Sequence, residues 1–201
     1  MHSKKRDWIK QIVRFEGFSV LTENPLPHDK FSEFKKAIES EHAGQGTLVE
    51  VIYKIGHFGD LRAVIPLYHR LYDKHADVRR AAAVSLGRLK RSSRIAKIKL
   101  LHMFNDKKEE MPVRAAAAEA LGEIGDINVL KPLIRSLNGK RDDNMHSVIA
   151  HALGELRDSR ALPSLNRALK KYEADEGNPM RPFLLRSIDN AIDKIEKANS
   201  R

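Results

Sequence analysis

The sequence contains no cysteine, so disulfides, thiolate metal sites and a cysteine nucleophile are excluded. It has no apolar run of about 18 or more residues, so no segment is expected to span a membrane. The opening stretch, MHSKKRDWIKQIVRFEGF, is basic but lacks the apolar block of a signal peptide. A cytoplasmic protein is expected. No P-loop, GxGxxG or GxSxG pattern occurs, and Gly44-Gln45-Gly46 is too short to cradle a phosphate. Aromatics are sparse as well: one Trp, four Tyr and seven Phe in 201 residues.

Acidic residues are in deficit, and the deficit is local. The formal charge is +10, yet residues 79–108 hold ten basic side chains against one acid, Asp106. Such clustering suits either a solvated helix face or an acidic partner, nucleic acid included.

What the chain does have is a repeat. VRAAAAEALGEIGD, from Val113 to Asp126, returns as VRRAAAVSLG from Val78, as MHSVIAHALGELRD from Met145 and loosely as LLRSIDNAID from Leu184. A fainter copy, TLVEVIYKIGHFGD, begins at Thr47. Taking these first residues as position 0, offsets 0, 4, 7, 8 and 11 are apolar or small. They trace one stripe on a helix of 3.6 residues per turn, the face that must be buried. Offset 7 is Lys54, Ser85, Ala120, Ala152 and Ala191, small in every copy but the first. Offset 9 is glycine in four copies (Gly56, Gly87, Gly122, Gly154), which suits tight helix packing.

The helix stop is expected at Gly59 and Gly125, where glycine can take the left-handed cap conformation. Asp60, Asp126 and Asp158 then stand as N-caps of the next helix. That helix carries Pro66, Pro132 or Pro163 early, which implies a late start or a kink. Eleven residues after each glycine, Leu67, Ile98, Leu133 and Leu165 are expected in the core. The copies are 31, 35, 32 and 39 residues apart. The drift is assigned to polar loops around Asn105–Pro112, Asn138–Asn144 and Glu173–Pro182. Residues 4–16 are expected to form a capping helix, followed by a Pro-containing linker.

The units GD…AVIPLYHRL…ADVRRAAAVSLG and GD…VLKPLIRSL…VRAAAAEALG resemble HEAT repeats, most closely the short subtype called PBS-lyase HEAT-like. The resemblance covers residues 30–198 and is strongest over 56–172. It implies an all-α, right-handed solenoid of four to five helix pairs, with 1–27 as cap and linker. The units are expected at 28–58, 59–90, 91–125, 126–157 and 158–198. It further implies that the second helices line a concave groove through offsets 2, 6 and about 9. Groove candidates are Arg80, Val84, Glu119, Ser147, His151, Arg186 and Asn190.

Enzymatic relatives of the fold leave no trace. A di-iron site like that of deoxyhypusine hydroxylase needs His-Glu pairs at offsets 2 and 3, and none of the copies has one. A HEAT-like DNA glycosylase needs groove tryptophans, and the lone Trp8 lies in the terminal helix. Nothing specific to a bilin lyase is visible. His146 and His151 are five apart and diverge around a helix, and the nine histidines are expected to be solvated or capping. No catalytic residue, metal or cofactor is expected.

The leading expectation is a non-enzymatic scaffold holding a protein partner, an acidic one, in its groove. The alternative is a factor that binds nucleic acid or ribonucleoprotein through Arg79, Arg80, Arg88, Lys90, Arg91, Arg94, Lys97, Lys99 and Arg114. In that reading Arg79 and Arg114, equivalent in successive copies, form a cationic ladder along a polyanion. Phe104 is the only aromatic in the stretch, which disfavours base stacking.

Overall fold

The computed structural model describes residues 26–40, 44–140 and 142–200. The expected helix over 4–16 lies outside these residues, as does all of the 1–27 segment except Leu26 and Pro27. Among the described residues there are ten α-helices and no strand: α1 (His28–Glu39), α2 (Gln45–Phe58), α3 (Val64–Arg70), α4 (Ala76–Arg88), α5 (Lys97–Asn105), α6 (Met111–Ile124), α7 (Leu130–Leu137), α8 (Asp143–Leu156), α9 (Leu162–Glu173) and α10 (Arg181–Asn199). They form five antiparallel pairs. The second helices α2, α4, α6, α8 and α10 pack in series, each also covered by its own first helix. The product is an all-helical solenoid.

The sequence stripe is the core. Offsets 0, 4 and 8 supply Val78, Ala82 and Leu86 in α4, and Val113, Ala117 and Leu121 in α6, all buried. Leu67, Leu133 and Leu165 of the first helices meet them and are fully buried. Each such side chain contributes about 1.5–3 kcal/mol on leaving water.

Successive second helices touch through the offset-9 glycine of one and the offset-7 small residue of the next. A Cβ on Gly122 would stand 2.6 Å from the Ala152 Cα, and one on Gly154 would stand 2.9 Å from the Ala191 Cα. The Gly87–Ala120 contact is equally close at 2.9 Å, and Gly56 meets the Ser85 Cα at 2.8 Å. No side chain fits between these backbones. The Ser85 hydroxyl, buried there, donates to the Ile52 carbonyl at 2.9 Å.

Four of the five second helices, α2, α4, α6 and α8, are followed by a left-handed residue at offset 12: Gly59 (φ 72°), Lys90 (φ 53°), Gly125 (φ 69°) and Arg157 (φ 53°). The glycines were expected there; Lys90 and Arg157 take the same conformation at a steric cost. Asp60, Asp126 and Asp158 follow and accept from the backbone N–H two residues on, at 3.0, 3.0 and 2.9 Å. Each caps a 3-10 turn of three residues that runs directly into the α-helix. Pro66, Pro132 and Pro163 fall in the first turn of those α-helices, so the expected late start is what occurs.

One expectation fails. Ile98, assigned to the core, is 78% exposed, and Leu100 takes the buried place. The second unit has Lys90-Arg91 where the others have Gly-Asp or Arg-Asp, so no Asp cap stops the 3-10 turn early. The turn runs for seven residues, Lys90–Ala96, and shifts the following helix by two positions. Ala96, rather than a residue two earlier, matches the buried Ala63, Val129 and Ala161.

Two substitutions test the glycine contact. Gly122→Ala is expected to destabilise the fold by about 1–3 kcal/mol in urea unfolding, through overpacking. Gly46→Ala, with open space around its Cβ position, is expected to stabilise by about 0.5 kcal/mol through chain entropy. Equal effects would mean that the close approach does not matter. At the left-handed caps, Arg157→Gly is expected to raise the urea midpoint, and a lowered midpoint would remove strain as the explanation.

Candidate interaction surfaces

The basic stretch divides into cations used by the fold and cations left to solvent. Arg79 makes two hydrogen bonds to Glu109, at 2.8 and 2.6 Å, and donates to the Asp73 and Lys74 carbonyls at 2.8 and 3.0 Å. Arg114 is only 9% exposed and donates to the Phe104 carbonyl at 3.2 Å. Both lie at offset 1, at the edge of the buried stripe and only about 20° around the helix from offset 8. There they satisfy carbonyls of the loop that follows α3 and of the last turn of α5. They are turned inward, so the expected ladder of Arg79 and Arg114 does not exist. Lys97 is also taken up, its ammonium 2.8 Å from Asp126. Arg88, Lys90, Arg91 and Arg94 remain exposed. Lys99 stands over the Tyr72 ring, 4.3 Å from its centre.

His146 occupies the same offset 1 and is likewise buried, against the expectation of a solvated or capping role. Its Nδ1 is 2.6 Å from the Tyr172 hydroxyl, which donates to Asp143 at 3.0 Å. This network ties α8 to α9. His151 points the other way and is exposed beside Glu155.

The open face of the second helices is built from offsets 2, 6 and 10. Offset 9 is closed by the glycine contacts, so the third row is one residue further on than expected. Among the groove candidates, Glu119, His151, Arg186 and Asn190 are exposed. Arg80 and Val84 are half-buried, and Ser147 is buried in a 2.8 Å contact with Ser187. His151 and Asn190 come together with Ser187 and Lys194 around a hollow of about 80 Å³. Arg80 lies against Asp77 at 3.5 Å, yet its Nε is buried with no hydrogen-bond acceptor among the described residues.

The row at offset 10 reads His57, Arg88, Glu123, Glu155, Lys194. Lys194 pairs with Glu155 at 2.5 Å, and that bond, ahead of the opposing effect of burial, holds Glu155 below its ordinary pKa. Glu123 is different. The residue as a whole is exposed, yet partial desolvation of its carboxyl against its neighbours, then repulsion from Glu119 and Glu155, pushes its pKa up; Arg88 and His151 offset this only partly. The groove is therefore basic at Arg80 and Arg88, acidic at Glu119, Glu123 and Glu155, and basic again at Arg186 and Lys194. Glu123, Glu155 and Lys194, and the place of Arg88 on this face, escape the sequence reading for one reason: the third groove row is expected near offset 9 and lies at offset 10. No group of three or more His, Asp or Glu suited to a metal ion occurs among the described residues.

The caps carry their own charge chemistry. Burial alone would raise the Asp60 pKa, but bonds from the Arg62 side chain and from the Arg62 and Leu26 N–H groups outweigh it and lower it. The Lys97 ammonium does the same for Asp126, with help from the Asn128 N–H. A folded pKa below the unfolded one gives stability that is complete above the unfolded value, about pH 4. That stability is lost as pH falls through the folded value. The urea midpoint is therefore expected to drop between pH 5 and pH 3, and Asp126→Asn should flatten that drop while lowering the midpoint at pH 7. Glu123 has the opposite sign: Glu123→Gln should stabilise at pH 7 and gain less at pH 4. Arg79→Ala, which strands Glu109 and two carbonyls, should cost about 3 kcal/mol. Arg91→Glu at the solvated surface should cost less than about 0.5 kcal/mol.

A family model described as HEAT repeats matches residues 100–176. No curated protein matches the chain in sequence. Among solved structures, an engineered protein superposes with a TM-score of 0.61 at 13% identity, covering 98% of this chain and 90% of its own. A designed armadillo repeat protein in complex with the peptide (KR)4 also gives 0.61, at 14% identity over 93% of this chain and 90% of its own. The complex of CpcE and CpcF of phycocyanin lyase from Nostoc is a looser match, with a TM-score of 0.46 at 18% identity over 89% and 93%. The left-handed offset-12 residues and the glycine contacts keep one register from α2 to α10, well beyond the matched span. Residues 100–176 thus match HEAT repeats, and the described chain folds as an α-solenoid of five helix pairs.

Proposed function

We propose that this protein is a non-enzymatic adaptor of the cytoplasm that holds a segment of a protein partner along the open face of α2, α4, α6, α8 and α10. The observation that carries the reading is the charge order of that face. Arg80 presents a partly exposed guanidinium with only a 3.5 Å contact to Asp77, which a partner carboxylate would engage. Glu123 is exposed between the acidic Glu119 and Glu155, whose mutual repulsion a partner cation would relieve. The partner is therefore acidic where it meets Arg80 and Arg88 and again at Arg186. It is basic across Glu119 and Glu123. The absence of cysteine suits a reducing compartment, and no helix among the described residues is long and apolar enough to cross a membrane.

The nucleic-acid alternative loses its support once Arg79, Arg114 and Lys97 are engaged within the fold. Panning a phage-displayed peptide library tests the adaptor reading. Enriched peptides should carry acidic residues flanking a Lys or Arg, and should lose binding about tenfold or more on Glu119→Lys or Glu123→Lys. No enrichment, or enriched peptides indifferent to both substitutions, would overturn it.

A further inference from the structure

We infer a second docking surface, on the first helices of the second and third pairs, that fits an acidic protein segment with apolar residues along one side. Five large apolar side chains are exposed there: Leu61 at 58%, Ile65 at 49%, Tyr72 at 59%, Ile95 at 54% and Ile98 at 78%. They come from two adjacent pairs. α3 packs against the 3-10 turn Lys90–Ala96, and Lys99 bridges to the Tyr72 ring. Ile65 and Ile98 hold the same place in the repeat once the two-residue shift is allowed for, so neighbouring units set them side by side.

The exposure of Ile98 follows from the shift itself. The long turn that Lys90-Arg91 permits moves Leu100 into the core and turns Ile98 out. The same repeat position carries Lys131 and Pro163 in the next two pairs, so the row begun by Ile65 and Ile98 stops there. The turn that creates the surface also edges it with cations. Lys90, Arg91 and Arg94 are exposed in it, and no acid occurs between Asp77 and Asp106.

Apolar centre and cationic edge together select the occupant. A nucleic-acid strand would leave the isoleucines without a counterpart, and the one aromatic, Tyr72, already has Lys99 over its ring. A helix with leucines on one face and glutamates beside them matches both features. This surface lies on the first helices and the groove on the second, so either site can fail alone.

The test uses the full chain and a fluorescent synthetic peptide with leucines on one helical face and glutamates elsewhere, read by anisotropy against a scrambled peptide of the same composition. The ordered peptide should bind about tenfold tighter than the scrambled one. Ile98→Glu, at a side chain too exposed to affect folding, should weaken it about tenfold, and Arg91→Glu with Arg94→Glu should do likewise. Glu123→Lys in the groove should leave it unchanged. Equal binding of both peptides would show charge attraction alone and overturn the proposal. Wild-type affinity in Ile98→Glu, no binding at low salt, or binding only to phosphatidylserine vesicles or RNA would overturn it too.

Discussion

The structure depends on how closely one second helix can approach the next. Glycine at offset 9 and a small residue at offset 7 let the backbones meet with no side chain between them. A single such contact is a local convenience. Repeated from Gly56 to Ala191, it holds one interhelical spacing across four interfaces, and every other register follows from it. Because each unit touches only its neighbours, an error at one interface is passed to the units beyond it.

Two kinds of residue close the interval between those contacts. The left-handed residue at offset 12 reverses the chain, and the Asp that follows starts the next helix. Asp60 and Asp126 do more than cap. Asp60 accepts from the Leu26 N–H at 3.0 Å, and Asp126 accepts from Lys97 at 2.8 Å. Each links the start of one pair to the start of the pair before. The first helices are thereby held in line on one side of the array while the glycines hold the second helices on the other. Where the Asp is missing, at Arg91, the turn lengthens and the line slips by two residues.

That slip explains what was legible in the sequence. The helix pairs (four to five were expected, five occur), the buried stripe, the glycine contacts and the caps at Gly59, Gly125, Asp60, Asp126 and Asp158 could be read, because each is a residue type tied to a backbone demand. Ile98 could not. Its fate is decided by the length of a turn, and no residue in Lys90–Ala96 marks where the turn ends. Arg79 and Arg114 were misplaced because one helical position, about 100°, separates an inward cation from one facing the groove. The groove's third row slipped by the same single position, from offset 9 to offset 10. Periodicity identifies a face, and packing then decides its edges.

The division of charge carries the functional argument one step further. The fold satisfies the cations it needs against specific acceptors: Arg79 with Glu109, Lys97 with Asp126, Arg114 with a helix-end carbonyl. These would be lost only with the fold. Glu123 has no such acceptor or donor to answer: it is exposed, with Glu119 and Glu155 as acidic neighbours that push its pKa up. The repeat places no demand at offset 10 either, where the five units carry His57, Arg88, Glu123, Glu155 and Lys194. At a position the architecture leaves free, the charge order of this face is therefore set unit by unit and not by the repeat.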